Sequence, residues 1–211
     1  MCRVGIPYMV QGLLISGSMV VVNAQVNVYG VAASAADSVG GKLNAVANIC
    51  IGATSAATAT MMGQCFGARE FERMKKCFWA CEAVCMVCWC ILSAIYLLFP
   101  EWVFRIFTSE PEVLEIAPLY LKIAVVWLLS LCTMNAPYAL VEGVGAAGFN
   151  LLVGILDGVV ARIGLALLLG HFWGLAGLWL GTSLAGFVTT IMMGIYYASG
   201  KWMKRKTLLN E

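Results

Sequence analysis

The sequence predicts an all-α integral membrane protein, and its composition and the lengths of its apolar runs are the observations that predict it. Of its 211 residues, 62% are hydrophobic and only 11% are charged, whereas about a quarter of a soluble domain is charged. Several apolar runs have about the 20 residues that a helix needs to cross a hydrocarbon core of roughly 30 Å. We therefore expect a bundle of six transmembrane helices.

The apolar runs define one membrane lobe, with short connections between consecutive spans. We expect spans at about residues 6–28, 42–64, 77–99, 114–141, 149–169 and 175–198, followed by a basic cytoplasmic tail at 199–211. The first run also resembles a secretory signal with a cleavage site at Val22-Asn23-Ala24, but its full spanning length favours a helix that stays in the membrane. The small residues at 29–41 predict a turn-forming connection.

Basic residues are distributed unequally between the two ends of the predicted spans. With six spans, one side of the membrane receives Arg3, Arg69, Arg73, Lys75, Lys76, Lys201, Lys204, Arg205 and Lys206. The other side receives Lys42 and Arg105. Because basic residues are retained in the cytoplasm, both termini are predicted to be cytoplasmic in a multi-pass protein of the plasma (inner) membrane.

Asp157 is the candidate for ion coupling, because it lies near the midpoint of the fifth predicted span. An acid at that depth is costly to insert and its side chain is too short to reach the interface, so a functional role is the first hypothesis. A purely structural role is the alternative. Arg162 lies five residues further on, off the same face of an α-helix, so we expect it to contact another helix instead.

Polar side chains in the first two spans are candidates for lining a cavity. The pairs Asn23/Asn27 and Asn44/Asn48 have the four-residue spacing that places both members on one helix face. Interhelical hydrogen bonds that hold the bundle together are the alternative. The cavity-lining candidates are Gln11, Asn23, Asn27, Asn44, Asn48 and Arg162.

The sequence offers no constellation for covalent chemistry. The cysteines at 77, 81, 85 and 88 form one stripe on a single helix, which does not surround a metal ion as a tetrahedral site does. Glycine pairs at 154/158 and 177/181 have the spacing that lets membrane helices approach closely. We therefore expect no enzymatic activity, no metal, no cofactor and no nucleic-acid partner.

A central segment identifies a family resemblance. Residues 63–73 read Gly-Gln-Cys-Phe-Gly-Ala-Arg-Glu-Phe-Glu-Arg, which resembles the Gly-Gln-x-x-Gly-Ala-x-x-x-x-Arg signature of MATE (multidrug and toxin extrusion) transporters. Further segments resemble the same family in the same order: Gly5-Ile6-Pro7, 107–113, 162–166 and 174–181. The resemblance is to the second six-helix lobe of a twelve-helix transporter.

The resemblance implies a function and a partner. It implies Na⁺- or H⁺-coupled antiport that exports organic cations or drugs, with a second six-helix lobe or another copy of the chain opposite this one. Some family members carry an acid in the fourth span of this lobe, and Asn135 lies at about that position, so it joins Asp157 as an ion-coupling candidate. The alternatives are a lipid-linked oligosaccharide flippase of the wider superfamily and an inactive or assembly-only fragment.

Overall fold

Helices account for nearly all of the described chain. A computed structural model describes the backbone of residues 2–204 and the side chains of residues 9–203. The helices are α1 Cys2–Asn27, α2 Val31–Gly67, α3 Phe71–Leu98, α4 Pro100–Arg105, α5 Pro111–Gly143, α6 Ala147–Ile155 and α7 Arg162–Ala198, with a π-helical segment at Leu156–Ala161 and a 3-10 helix at Lys201–Lys204. In the predicted basic tail, Arg205, Lys206 and the side chain of Lys204 lie outside the described residues. The side chain of Arg3, near the start of the chain, also lies outside them.

The last long helical stretch is long enough to cross the membrane twice. Residues 147–198 form one helical run of 52 residues, which at about 1.5 Å per residue is more than twice the thickness of a hydrocarbon core. The run is broken at Gly174, whose φ of 59° and ψ of −137° lie outside the helical region. Glycine adopts such a positive φ without steric cost. The break separates a first half of α7, residues 162–173, from a second half, residues 175–198.

Small residues let the two halves of α7 fold back on each other. A Cβ added to Gly177 would meet the backbone carbonyl of Leu169, and one added to Gly181 would meet the backbone of Ala166. Gly154 and Gly158 lie against α1, because added Cβ atoms there would meet Gln11 and Ile15. The expectation that both glycine pairs mark close helix packing is confirmed.

The predicted connection at 29–41 is wrong, because α2 begins at Val31. The stretch is rich in alanine, which has the highest helix propensity, and this outweighs the two consecutive glycines that suggested a turn. Gly40 lies inside the helix, and a Cβ there would overlap the ring of Tyr120 on α5. Its small size therefore serves helix packing.

The connection between α2 and α3 is much shorter than the basic segment between the second and third predicted spans. Only residues 68–70 separate the two helices. Arg69 has a φ of 58°, and the amide of Glu70 donates to the carbonyl of Cys65 at 2.9 Å, which closes the end of α2. Arg73 and Lys75 lie in the first turns of α3, where Lys75 Nζ is 2.7 Å from Glu72 Oε1.

The long helix α5 is the centre of the bundle. The Trp89 indole of α3 donates to the Val125 carbonyl of α5 at 3.1 Å. Ser55 of α2 donates to the Asn135 carbonyl at 3.4 Å, and the hydroxyls of Thr133 and Thr190 are 3.4 Å apart between α5 and the second half of α7. These contacts fix three helices around α5, while α1 packs on α6 and the π-helical segment.

The predicted tail contributes to the packed core. Trp202 is only 1% exposed. Its indole donates to the Tyr197 carbonyl at 3.0 Å, and its ring meets the edge of Phe71 at a centroid distance of 5.8 Å. The 3-10 helix that follows α7 is thereby attached to the start of α3.

We expect Trp202→Ala to destabilise the protein, because it removes a large buried side chain and leaves a cavity. The expected loss is about 3 kcal/mol, read as a lower midpoint of thermal unfolding in detergent micelles. Met203→Ala is the matched control, since its side chain is 37% exposed. An equal, small effect of both substitutions would contradict a structural role for the start of the tail.

Candidate functional site

A polar cavity lies within the lobe, between α1, α2, α5 and the two halves of α7. Its volume is about 480 Å³. Its lining residues are Met19, Val22, Asn23, Asp37, Ser38, Gly41, Asn44, Ala45, Asn48, Tyr120, Ile123, Ala124, Trp127, Arg162, Trp179, Thr182 and Ser183. We call it the larger cavity.

Asp37 provides a carboxylate to the larger cavity. Its Oδ1 accepts a hydrogen bond of 2.8 Å from the Trp179 indole, which joins α2 to the second half of α7. The Trp179 ring meets Tyr120 edge to face at a centroid distance of 4.9 Å, and the Tyr120 hydroxyl accepts a 3.2 Å hydrogen bond from Asn44 Nδ2. The carboxylate therefore sits on a fixed aromatic and amide framework.

A smaller cavity of about 220 Å³ lies beside the π-helical segment. It is lined by Gln11, Gly12, Ile15, Met134, Tyr138, Gly154, Asp157 and Thr189. Asp157 and Thr189 are 6% and 4% exposed. Asp157 Oδ1 and Thr189 Oγ1 are both buried without a hydrogen-bond partner among the described residues. We call this the smaller cavity.

An ion pair lies between the two cavities. Arg162 Nη2 is 3.1 Å from Asp157 Oδ2, and both side chains are largely buried. The prediction that Arg162 lies off the face of Asp157 is wrong, because residues 156–161 form a π-helix. In a π-helix the hydrogen bonds run from residue i to i+5, so residues five apart lie one above the other.

The predicted polar residues divide between the two cavities and the helix contacts. Asn23, Asn44, Asn48 and Arg162 line the larger cavity. Gln11 and Asp157 line the smaller one, where Gln11 Oε1 also accepts a hydrogen bond from Asn150 Nδ2. Three of the four paired asparagines thus share one cavity, whereas Gln11 and Asp157 lie at another.

Two predicted residues lie in neither cavity lining. Asn27 Oδ1 accepts a 2.7 Å hydrogen bond from Ser34 Oγ where the chain enters α2. Asn135 is buried, and its Nδ2 donates to the Leu131 carbonyl of its own helix. The hydrogen bond of Asn27 joins the end of α1 to the start of α2, and that of Asn135 lies within α5. Asn135 stays a prediction as an ion-coupling residue.

Sequence reasoning missed Asp37. The residue fell inside the stretch interpreted as a connection, so its carboxylate was not recognised as lying within a membrane helix. The available signal was the alanine-rich sequence around it, which continues without interruption into the second span. Read as one helix, this stretch would have made Asp37 an intramembrane acid and a functional candidate.

The lining chemistry suits non-covalent binding. Among the described residues, no group of three or more histidine, cysteine, aspartate or glutamate side chains is placed to hold a metal ion. The larger cavity instead combines one carboxylate, amides, hydroxyls and the rings of Tyr120, Trp127 and Trp179. A polar, aromatic cavity inside a membrane bundle is typical of a site that binds and releases a solute.

Comparison with known families decides the family. The sequence profile described as MatE matches residues 7–168. This chain belongs to the MatE family. The resemblance that residues 63–73 indicated is therefore confirmed. The homologues in this family are transporters, not enzymes.

Named relatives match this chain at low sequence identity. The "Probable multidrug resistance protein NorM" of Thermotoga maritima is 24% identical over 99% of this chain and 46% of its own length. The "Probable multidrug resistance protein YpnP" of Bacillus subtilis is 24% identical over 97% of this chain and 46% of its own. A crystal structure of the Vibrio cholerae MATE transporter VcmN, in a mutant form, is 21% identical, with a TM-score of 0.86 over 97% of this chain and 48% of that one.

These MatE relatives are about twice as long as this chain, which spans about half the length of each of them. The predicted fold class, an all-α membrane bundle corresponding to one lobe of a MATE-like transporter, is confirmed. The protein is a multi-pass membrane protein.

Proposed function

We propose that this chain is one lobe of a secondary transporter that exports organic cations or drugs by Na⁺- or H⁺-coupled antiport. The observation that carries the proposal is the larger cavity, whose lining contains the Asp37 carboxylate and three aromatic rings. A carboxylate attracts a cation, and the faces of tyrosine and tryptophan rings attract it further through their quadrupoles. This chemistry binds an organic cation without forming a bond to it.

The charge balance of the larger cavity favours a cationic ligand. Its ionisable lining residues of opposite sign are Asp37 and Arg162. The charge of Arg162 is balanced by Asp157, 3.1 Å away on the side of the smaller cavity. The carboxylate of Asp37 has only the neutral Trp179 indole as its described hydrogen-bond donor. A bound cation supplies the missing counter-charge.

We assign the coupling ion to Asp157, with Asn135 as the second candidate. Support for Asp157 comes from its buried position beside the smaller cavity and from its unpartnered Oδ1. An intramembrane carboxylate that can accept a proton or a Na⁺ ion changes the charge of its surroundings when the ion binds. Such a change is the basis of coupling between an ion and a solute.

The proposal includes an orientation and a partner. The basic residues Arg69, Arg73, Lys75 and Lys76 cluster at the α2–α3 connection, which supports a cytoplasmic position for that end of the bundle and for both termini in the plasma membrane. A second six-helix lobe, or another copy of this chain, completes the transport path. The half-length match to the relatives supports this partner.

Flux through liposomes tests the function. The purified chain, alone and together with the first six-helix lobe of a full-length relative, is reconstituted into liposomes loaded with tetraethylammonium. We expect tetraethylammonium efflux that starts when an inward Na⁺ or proton gradient is imposed and stops when an ionophore collapses the gradient. Protein-free liposomes give the background. Efflux equal to that background in both arrangements would contradict the proposal and would favour an inactive or assembly-only fragment.

A further inference from the structure

Arg162 has contacts with both cavities. The residue belongs to the lining of the larger cavity, and its Nη1 lies 3.8 Å from the sulfur of Met19, which is in the same lining. Its Nη2 pairs with Asp157, which lines the smaller cavity. Its Nε is buried without a hydrogen-bond partner among the described residues. The guanidinium is therefore bound by one oxygen of a single carboxylate. Its other nitrogens have a weak hydrogen bond to sulfur or no described hydrogen-bond partner.

The smaller cavity carries unused oxygen ligands. Asp157 Oδ1 and Thr189 Oγ1 are buried and have no partner within the described chain, and the Gln11 side chain lines the same space. Buried polar atoms are nearly always hydrogen-bonded or bound to an ion or water. One carboxylate among neutral oxygens matches the charge of a monovalent cation. The set lacks the several carboxylates typical of a Ca²⁺ site.

We propose that Na⁺ bound at Asp157 in the smaller cavity releases Arg162 into the larger cavity, where the freed guanidinium opposes binding of an organic cation at Asp37. The inference rests on the proposed function, since it needs an organic cation in the larger cavity. It adds a coupling route within a single lobe, in which the Asp157 carboxylate exchanges the Arg162 guanidinium for Na⁺. Arg162 acts as the positioning residue that carries the exchange from one cavity to the other.

Electrostatics gives the direction of the coupling. Na⁺ and the guanidinium compete for Asp157, because two positive charges sharing one carboxylate repel each other. A guanidinium released from Asp157 keeps its charge, and Asp37 is the acid in the lining of the larger cavity. An organic cation at Asp37 then meets a competing charge. Coupling between two binding sites is reciprocal, so the organic cation also weakens Na⁺ binding.

The test is calorimetric titration of the purified full chain in detergent with tetraethylammonium, with and without Na⁺. We expect Na⁺ to weaken tetraethylammonium binding by about tenfold. The Arg162→Gln variant is expected to lose this tenfold effect and to keep only the small weakening that salt screening produces. This variant also controls for ionic strength, because screening of Asp37 by added salt acts on it in the same way.

Two further variants complete the cycle. Asp157→Asn removes the partner of Arg162, so tetraethylammonium binding is expected to be weak even without Na⁺. The double variant Asp157→Asn/Arg162→Gln removes both charges, and we expect it to regain the binding that the single Asp157→Asn variant loses. That recovery separates the proposed coupling from a folding defect, because a variant that misfolds through loss of Asp157 gains nothing from losing Arg162 as well.

The outcomes separate the inference from the function on which it rests. Tetraethylammonium binding by the wild-type chain that does not change with Na⁺ overturns the inference and leaves the proposed function standing. Na⁺ inhibition that persists at full size in Arg162→Gln also overturns it, since the two cations would then compete directly at Asp37. A wild-type chain that does not bind tetraethylammonium in either condition overturns both.

Discussion

Asp37→Asn is expected to lower the affinity of the chain for tetraethylammonium by about 30- to 1000-fold, which corresponds to about 2–4 kcal/mol for a charge pair at close range in a partly desolvated site. The substitution keeps the size of the side chain and an oxygen that can accept the Trp179 indole hydrogen at the observed contact. It removes only the charge. The loss therefore measures the electrostatic part of cation binding in the larger cavity.

Two variants serve as controls in this calorimetric titration. Asp37→Glu keeps the charge at the same position and is expected to bind tetraethylammonium more tightly than Asp37→Asn. Glu101→Gln removes a carboxylate that pairs with Arg105 on the exposed surface of α4, outside both cavities, and its effect is expected to be negligible. If Asp37→Asn binds as tightly as the wild type, the carboxylate does not hold the ligand.

Gly177→Ala and Gly181→Ala are expected to destabilise the hairpin formed by the two halves of α7, and the folded protein with it. An alanine Cβ at either position would overlap backbone atoms of residues 165–170. Backbone atoms cannot rotate away as a flexible side chain can, so the helices must separate. We expect a cost of about 1–3 kcal/mol or more for each substitution, seen as a lower thermal midpoint and a smaller folded fraction in detergent.

The same glycine-to-alanine change at open positions is the control. Gly164 and Gly194 lie in the two halves of the same helix, and no atom lies within 4 Å of a Cβ added at either position. Alanine there is expected to stabilise the helix by about 0.5–1 kcal/mol, because glycine loses more conformational freedom on folding. Destabilisation of equal size at all four glycines would contradict the close contact between the two halves.

Apolar length and glycine spacing were sufficient to predict the bundle. The runs predicted as spans overlap the helices that form, because an apolar run of spanning length has few other stable arrangements in a bilayer. The start of α2 was missed because Gly40-Gly41 suggested a turn. The reason for Gly40 is the Tyr120 ring on a helix 80 residues further along the chain, and such a long-range contact leaves no local signal.

The candidate site was only partly predictable, because part of its geometry leaves no signal in the sequence. Depth in the membrane identified Asp157, and four-residue spacing identified Asn44 and Asn48, since both signals depend on regular helical geometry. The pairing of Asp157 with Arg162 depends on the π-helical segment at Leu156–Ala161. No sequence rule places a π-helix there. The wrong helical period therefore gave the wrong partner for Arg162.

The most direct test of the central claim locates the ligand. Tetraethylarsonium has the shape and charge of tetraethylammonium and carries an arsenic atom that can be found by anomalous X-ray scattering. The predicted result is one arsenic peak per chain inside the larger cavity, between Asp37 and Trp127, and no such peak in crystals of Asp37→Asn. Arsenic peaks only on the lipid-facing surface, or none within the lobe, would contradict the assignment of this cavity as the organic-cation site.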